Sequence, residues 1–265
     1  MNYGSELFKG TANHYAAYRP MYPSSLIRYL VERFSLDGSQ RMMDLGCGTG
    51  QLTVRFADWC SEIIGVDADE EMLQVAERIH RSLPIGNITW LKGDAEEIVA
   101  GKGESFNLVT IAKAFHWMDR SKVLEELYEV VEPGGGAAII DNYDPQKKET
   151  EWQQRFRETV EKWYGNERRA GTTTYSHPTK SHEDVIHDSK FTYEKVELAE
   201  YVQKWTVDSI IGHHYSTSYG AKRFLGNHAE EFERNARAAL LVVNPSGEFS
   251  ETINVSIKLA MKVTP

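Results

Sequence analysis

Between residues 40 and 142, short apolar runs alternate with stretches whose apolar residues recur at helical spacing, and no other feature restricts the fold as much. The runs are MMDL (42–45), EIIGVD (62–67), ITWL (88–91), NLVTIA (107–112) and AAIID (137–141). Each is compact and largely apolar at successive positions, as a strand covered on both faces must be. Between them, Leu52, Phe56 and Trp59 share a helical face, as do Met72, Val75, Ala76 and Ile79, and Val123, Leu127 and Val130. Pro133-Gly134-Gly135-Gly136 is expected to end the last of these helices and turn the chain into the fifth strand. Strand and helix in this order predict a doubly wound α/β fold with a mostly parallel sheet.

The flanks read differently. Leu26, Ile27, Leu30, Val31 and Phe34 form a helical stripe closed by Asp37-Gly38, and YRPMYP (18–23), with two prolines, is expected to be extended. After residue 142 the pattern predicts a helix near 149–164, a polar loop over 165–190, a strand-like stretch at 192–202, and helices near 206–215 and 228–243. Ile253, Val255, Ile257, Leu259 and Met261 alternate with polar or small residues, the mark of one strand with unlike faces, which suits an antiparallel final strand. The chain therefore divides into an N-terminal cap segment and helix (1–36), a core (37–142), insertions around a sixth strand that form a substrate cap (143–250), and a final core strand (251–265). A length of 265 residues suits such an arrangement.

Composition excludes several classes of partner. A formal charge of −9 repels a phosphate backbone, and the basic pairs Lys147-Lys148 and Arg168-Arg169 sit beside Glu149 and Glu167, so no nucleic acid is expected. The two cysteines, Cys47 and Cys60, imply neither a disulfide framework nor a cysteine zinc site. His177, His182 and His187 lie five apart, which puts no pair on one helix face, and Pro178 interrupts them, so no metal is expected. The opening MNYGSELFKG lacks the basic-then-apolar layout of a signal peptide, and no apolar run has membrane-spanning length. A cytoplasmic monomer or homodimer without membrane contact is the expectation.

The chemistry is concentrated in Asp44-Leu45-Gly46-Cys47-Gly48-Thr49-Gly50, between a strand and a helix. Glycines at alternate positions let the backbone turn tightly and approach a ligand closely; Cys47 reads as a small side chain that fits this turn. A dinucleotide loop would read G-x-G-x-x-G. Here the spacing is G-x-G-x-G and an acid precedes it, which disfavours a diphosphate and suits an ammonium. The second strand ends in Asp67, with Asp69 beyond, where a carboxylate can accept both hydroxyls of a ribose. Gly93-Asp94-Ala95-Glu96 follows the third strand, and Asp94 there could accept a hydrogen bond from an adenine amine. Asp44 and Asp67 could instead be helix-capping acids, and Gly-Asp is also a common turn. An ammonium, a ribose and an adenine without phosphate describe S-adenosylmethionine (SAM).

DLGCGTG (44–50), VDAD (66–69), GDAE (93–96), IAKAFHW (111–117) and EPGGG (132–136), in this order, resemble the motifs of class I SAM-dependent methyltransferases. FKGTANHYAAYRPMYP (8–23) and the His-Trp after the fourth strand are similar to the subgroup that includes trans-aconitate-type, or type 11, small-molecule methyltransferases. The resemblance implies a seven-stranded Rossmann-like sheet with an antiparallel last strand and a helical cap. It also implies a cofactor set of Arg19, Asp44, Gly46, Gly48, Gly50, Asp67, Ala68, Asp94, Ala95 and Ala112. Arg19 could grip the SAM carboxylate or an acidic acceptor, or form a surface ion pair. Trp117, Tyr22, Tyr143, Trp205 and Ser216 are the expected acceptor pocket, and His116 is the candidate base, or else a scaffold histidine. The implied reaction is methyl transfer to a small molecule, on a carboxylate or hydroxyl oxygen. A nicotinamide-dependent oxidoreductase and a non-catalytic SAM-binding module are the competing readings.

Overall fold

The computed structural model describes residues 6–100, 105–144, 146–171, 173–176 and 178–264. His177 lies outside them. Five strands follow the five apolar runs: β1 (Arg41–Leu45), β2 (Glu62–Asp67), β3 (Ile88–Lys92), β4 (Phe106–Ala112) and β5 (Val131–Asp141). Four longer ones come later, β6 (Thr192–Glu197), β7 (Tyr201–Thr206), β8 (Glu248–Ile253) and β9 (Ser256–Met261), after a two-residue antiparallel pair, Arg169–Ala170 with Thr173–Thr174. Seven of these form one sheet in the order β3-β2-β1-β4-β5-β9-β6, in which β9 runs antiparallel to both neighbours. This is the Rossmann-like α/β arrangement expected from the sequence. Strand order reverses between β1 and β4, which opens a crevice at the carboxyl ends of the parallel strands.

The strands lack polar alternation because both faces of the sheet are covered. Met42 and Met43 point to opposite sides, and both are fully buried. Met43, Leu45, Ile64 and Val109 pack with α5 (Arg120–Val130), while Met42, Ile63 and Leu108 pack with α2 (Ser24–Arg33). Burial of this kind is worth roughly 1.5–3 kcal/mol for each large side chain.

Five local expectations are corrected. Thr53–Trp59 is a 3₁₀ helix rather than an α-helix: Thr53 and Phe56, three apart, share its buried side, and Trp59, at its last residue, is 41% exposed. Pro133–Gly136 lies inside β5 as a bulge, because Phe106 pairs with Val131 but Leu108 already pairs with Gly136. The alternating tail is two strands. Its chain changes partner at Asn254-Val255 without changing face, since Ile253 and Val255 are each 4% exposed. The 192–202 stretch divides in the same way, β6 joining the main sheet and β7 pairing with β8 in a separate ribbon, and the expected loop over 165–190 carries α7 (His182–His187), capped by Ser181.

That ribbon belongs to a cap with its own apolar centre. α6 (Glu151–Tyr164), α8 (Val207–Tyr215) and α9 (Ala229–Val243) pack around Phe232, which is fully buried. His214 sits among Phe156, Tyr164 and Phe232, with its Nε2 buried and unpartnered among the described residues. Burial lowers its pKa to about 3, so the ring is neutral. The N-terminal α1 (Ala12–Tyr18) meets this cap where His14 packs edge-on against Tyr215 at 5.3 Å. Among the described residues no helix is long and apolar enough to cross a membrane, and no three His, Cys, Asp or Glu side chains converge on a metal position.

Candidate active site

The glycine loop leaves β1 at the switch point. Gly46 and Gly48 have φ of +69° and +55°, the left-handed region that side chains seldom adopt. A Cβ on Gly46 would stand 2.4 Å from the Cβ of Ala114. The N–H groups of Gly46 and Cys47 both donate to the Val66 carbonyl, at 2.8 and 3.0 Å, which fastens the loop to the end of β2. The N–H of Gly48 donates to Asp67 Oδ2 at 2.7 Å, and that of Asp69 donates to Asp67 Oδ1 at 2.9 Å. Asp69 caps α3 (Glu70–His80) through Oδ1, while its Oδ2 is buried with no partner among the described residues.

Burial raises the Asp67 pKa to about 6, against the lowering pull of these two N–H groups. Burial also raises Asp44 to about 6. Asp44 is 1% exposed and receives hydrogen bonds from the hydroxyls of Thr53 (2.6 Å) and Thr110 (2.7 Å). It braces β1, β4 and the 3₁₀ helix together and does not border the crevice. Gly50, expected beside it, lies against the Trp90 ring, also outside the crevice lining.

A cavity of about 800 Å³ fills the crevice, bordered by Gly46, Gly48, Asp67, Ala68, Asp94, Ala95 and Ala112 together with Phe8, Tyr15, Asp69 and Met72. The first seven are among the cofactor residues expected from the sequence. Their fit to SAM rests on two local observations. Gly48, with no side chain of its own, borders the cavity, and so does Asp69, whose Oδ2 has no partner among the described residues. Among the described lining residues the acids Asp67, Asp69, Asp94, Glu96, Glu97 and Asp119 outnumber Lys92, Lys113 and Lys122. Such a surface favours a cationic ligand and repels a pyrophosphate.

A second cavity, of about 790 Å³, adjoins the first. Phe8, Lys113 and Trp117 border both. Tyr22, His116, Tyr143 and Trp205 border the second, and so does Arg19, expected among the cofactor residues. Arg19 lies over the Tyr15 ring at 4.8 Å and donates from Nη2 to the Ser216 carbonyl at 3.2 Å, while its Nε is buried and unpartnered among the described residues. Ser216 is fully buried, and its hydroxyl donates to the His213 carbonyl at the end of α8, so it offers Arg19 a carbonyl rather than a substrate contact.

The charge balance here is reversed. Arg19, Lys113, Arg120, Arg168, Lys180, Lys195 and Lys258 face Asp141, Asp144, Glu197 and Glu251 among the described residues. Arg168 is held between the rings of Tyr175 (4.7 Å) and Tyr219 (4.5 Å). Arg120 approaches His182 Nδ1 at 3.1 Å; burial first, and then this guanidinium, lower the His182 pKa to about 4. His116 packs against Trp117 with ring centroids 4.5 Å apart and planes tilted by 47°.

Sequence reasoning missed Lys113, Arg120 and Arg168 as site residues. Lys113 carried a signal, a lone charge at the end of an apolar strand. Arg120 and Arg168 carried none, because each resembles the solvated basic residue of a helix start or polar loop.

A doubly wound sheet with this strand order and a phosphate-averse crevice at its switch point defines the class I methyltransferase fold. Comparison with known proteins agrees. Residues 42–135 match the family model described as methyltransferase domain. An uncharacterized methyltransferase of Schizosaccharomyces pombe is 33% identical over 159 residues, 60% of each chain. A Saccharomyces cerevisiae protein described as a probable S-adenosylmethionine-dependent methyltransferase is 28% identical over 127 residues, 48% of this chain and 43% of that one. The crystal structure of the YcgJ protein of Bacillus subtilis superposes with a TM-score of 0.56 at 16% identity, covering 92% of this chain and 100% of that one. Residues 42–135 thus match a methyltransferase domain. The matched part spans about half the length of these curated relatives, 60% and 43% of the two.

Proposed function

We propose that this protein transfers a methyl group from SAM, bound in the first cavity, to a small anionic molecule in the second, on a carboxylate or hydroxyl oxygen. The observation that carries this reading is the junction of two cavities of opposite charge balance at Phe8, Lys113 and Trp117. When bound, SAM supplies an activated methyl on a positively charged sulfur. The chain contributes the rest. Asp67 accepts hydrogen bonds from the ribose hydroxyls, Asp94 and Ala95 receive the adenine edge, and the glycine loop brings backbone close to the amino-acid end. Phe8, packed edge-on against both Tyr15 (6.4 Å) and Trp117 (6.2 Å), keeps water from the junction. Arg19, Arg120 and Arg168 draw the acceptor's negative charge toward it, so that the reacting atoms meet at roughly 3–3.5 Å.

A carboxylate acceptor needs no base. A hydroxyl acceptor would pass its proton to His116, which borders the second cavity. The resemblance of residues 8–23 and of His116-Trp117 to trans-aconitate-type methyltransferases supports a small acid as the acceptor. The test is transfer of labelled methyl from SAM into a collection of small carboxylic and hydroxy acids. Label in an ester or ether supports the reading; label in none of them, with SAM still bound, favours a non-catalytic SAM-binding module.

A further inference from the structure

Of the three residues that border both cavities, Lys113 alone carries a charge. It follows β4 directly, and its own N–H donates to the Ile140 carbonyl at 2.9 Å, so the neighbouring strand fixes its backbone. That backbone is unusual, with φ of +55° at a residue that has a Cβ. A non-glycine residue held there is strained, and such strain persists where the surroundings enforce it, most often at functional sites. The glycine loop lies alongside, as the close packing of Gly46 on Ala114 shows. The long side chain is held at the junction, and among the described residues its ammonium has no ion-pair or hydrogen-bond partner. An unpaired buried cation needs a counter-ion.

We infer that Lys113 supplies the acceptor's anchor at the point of transfer: its ammonium grips the anionic oxygen that takes the methyl group. The inference rests on the reading of the second cavity as an acceptor site. In the step it serves, an acceptor carboxylate oxygen forms a bond to the methyl carbon while the sulfur–methyl bond breaks, its electron pair remaining on sulfur. No proton moves. The negative carboxylate becomes a neutral ester and the sulfonium a neutral thioether, so the ester loses its attraction to Lys113 and leaves. With SAM bound and no acceptor present, the same ammonium would lie close to a positively charged sulfur. Acceptor and SAM must then strengthen each other's binding, whereas the uncharged product S-adenosylhomocysteine (SAH) escapes the repulsion.

The charged groups around Lys113 come from four elements. Arg19 follows α1, Asp141 ends β5, Glu251 lies on β8 and His213 lies on α8. Burial first, then Arg19, lower the Lys113 pKa to about 8 against the raising pull of Asp141 and Glu251. An anchor must be protonated, so kcat/KM for a carboxylate should be level below pH 8 and fall above it. A proton-accepting lysine would give the opposite limb, rising toward pH 8.

The experiment compares wild type, Lys113→Met and Lys113→Arg, with folding checked by thermal melting. SAM and SAH affinities are measured by calorimetry with and without carboxylates drawn from the labelling collection, malonate and citrate included. In wild type, at least one carboxylate should tighten SAM binding by about tenfold, equivalent to ~1.4 kcal/mol of coupling, and affect SAH less. Lys113→Met should lose that coupling and bind SAM alone more tightly relative to SAH. Lys113→Arg should restore the coupling and remove the pH limb near 8. Coupling that survives in Lys113→Met, no carboxylate coupling in wild type, or a pH limb of rising sign would each overturn the assignment. Coupling that obeys these expectations without label in any ester would uphold Lys113 as an anion anchor and count instead against the proposed methylation.

Discussion

The two cavities are nearly equal in size, about 800 and 790 Å³, yet they are made in opposite ways. The first is walled by backbone and small side chains, Gly46, Gly48, Ala68, Gly93, Ala95 and Ala112, at the ends of consecutive parallel strands, with acids at its rim. The second is walled by long side chains, among them Arg19, Arg120, Arg168, Tyr175 and Trp205, brought in from the N-terminal segment, the helix after β4 and the cap. Backbone walls recognise one fixed ligand and tolerate little change. Side-chain walls can be re-equipped residue by residue, which suits a site whose acceptor is a matter of specialisation. Substitutions should therefore separate the two cleanly.

The largest effect is expected at Gly46. Gly46→Ala places a Cβ 2.4 Å from Ala114 at a φ of +69°, so something must shift. Strain of about 1–3 kcal/mol and closure of the loop against the ligand should bring SAH binding below detection by calorimetry and lower the melting temperature. Asp67→Ala comes next. Loss of two charge-assisted hydrogen bonds to the ribose should weaken SAH about 100-fold or more, with no change in the acceptor cavity. The pH dependence follows from the raised pKa of Asp67, about 6. The ionised form is the better acceptor, so SAH affinity in wild type should fall as pH drops through 6, and Asp67→Ala should show no such limb. Affinity independent of pH between 5 and 8 would remove Asp67 from the ribose.

On the other side of the junction, Arg168→Leu should raise KM for the acceptor about tenfold while leaving SAH binding unchanged, since a charge-assisted contact is worth roughly 1.5–3 kcal/mol. An equal loss in both ligands would mean that the cavities are not separable. The smallest effect concerns the cap alone. His214 is neutral when folded, with a pKa near 3 against an ordinary 6.5. Its contribution to stability is complete above pH 6.5 and is lost as pH falls from there toward 3. Melting curves of His214→Phe should therefore gain on wild type progressively below pH 6.5; parallel curves down to pH 4 would rule out a buried neutral histidine.

The same contrast explains how much was legible beforehand. Asp67, Asp94, Gly46 and Gly48 sit in contiguous motifs at strand ends, so finding the strands placed them at the crevice. Asp44 shows the limit of that logic. A strand-tip position is readable, but the side to which the carboxylate turns is decided by Thr53 and Thr110, which come from elsewhere in the chain. The second cavity joins residues as far apart as Tyr22, Arg168 and Lys258, and no local spacing announces such a meeting. Trp117 was identifiable because it follows a core strand. Ser216 was misplaced because its helix end turns the hydroxyl inward to a carbonyl. The break at Asn254-Val255 was hidden because burial of Ile253 and Val255 continues the alternation through it.

Crystals grown with SAH test the central claim most directly. The account predicts the ribose on Asp67, the adenine beside Asp94-Ala95, and the sulfur facing the gap between Phe8, Lys113 and Trp117. An empty crevice in those crystals, filled instead when NAD is supplied, would contradict it.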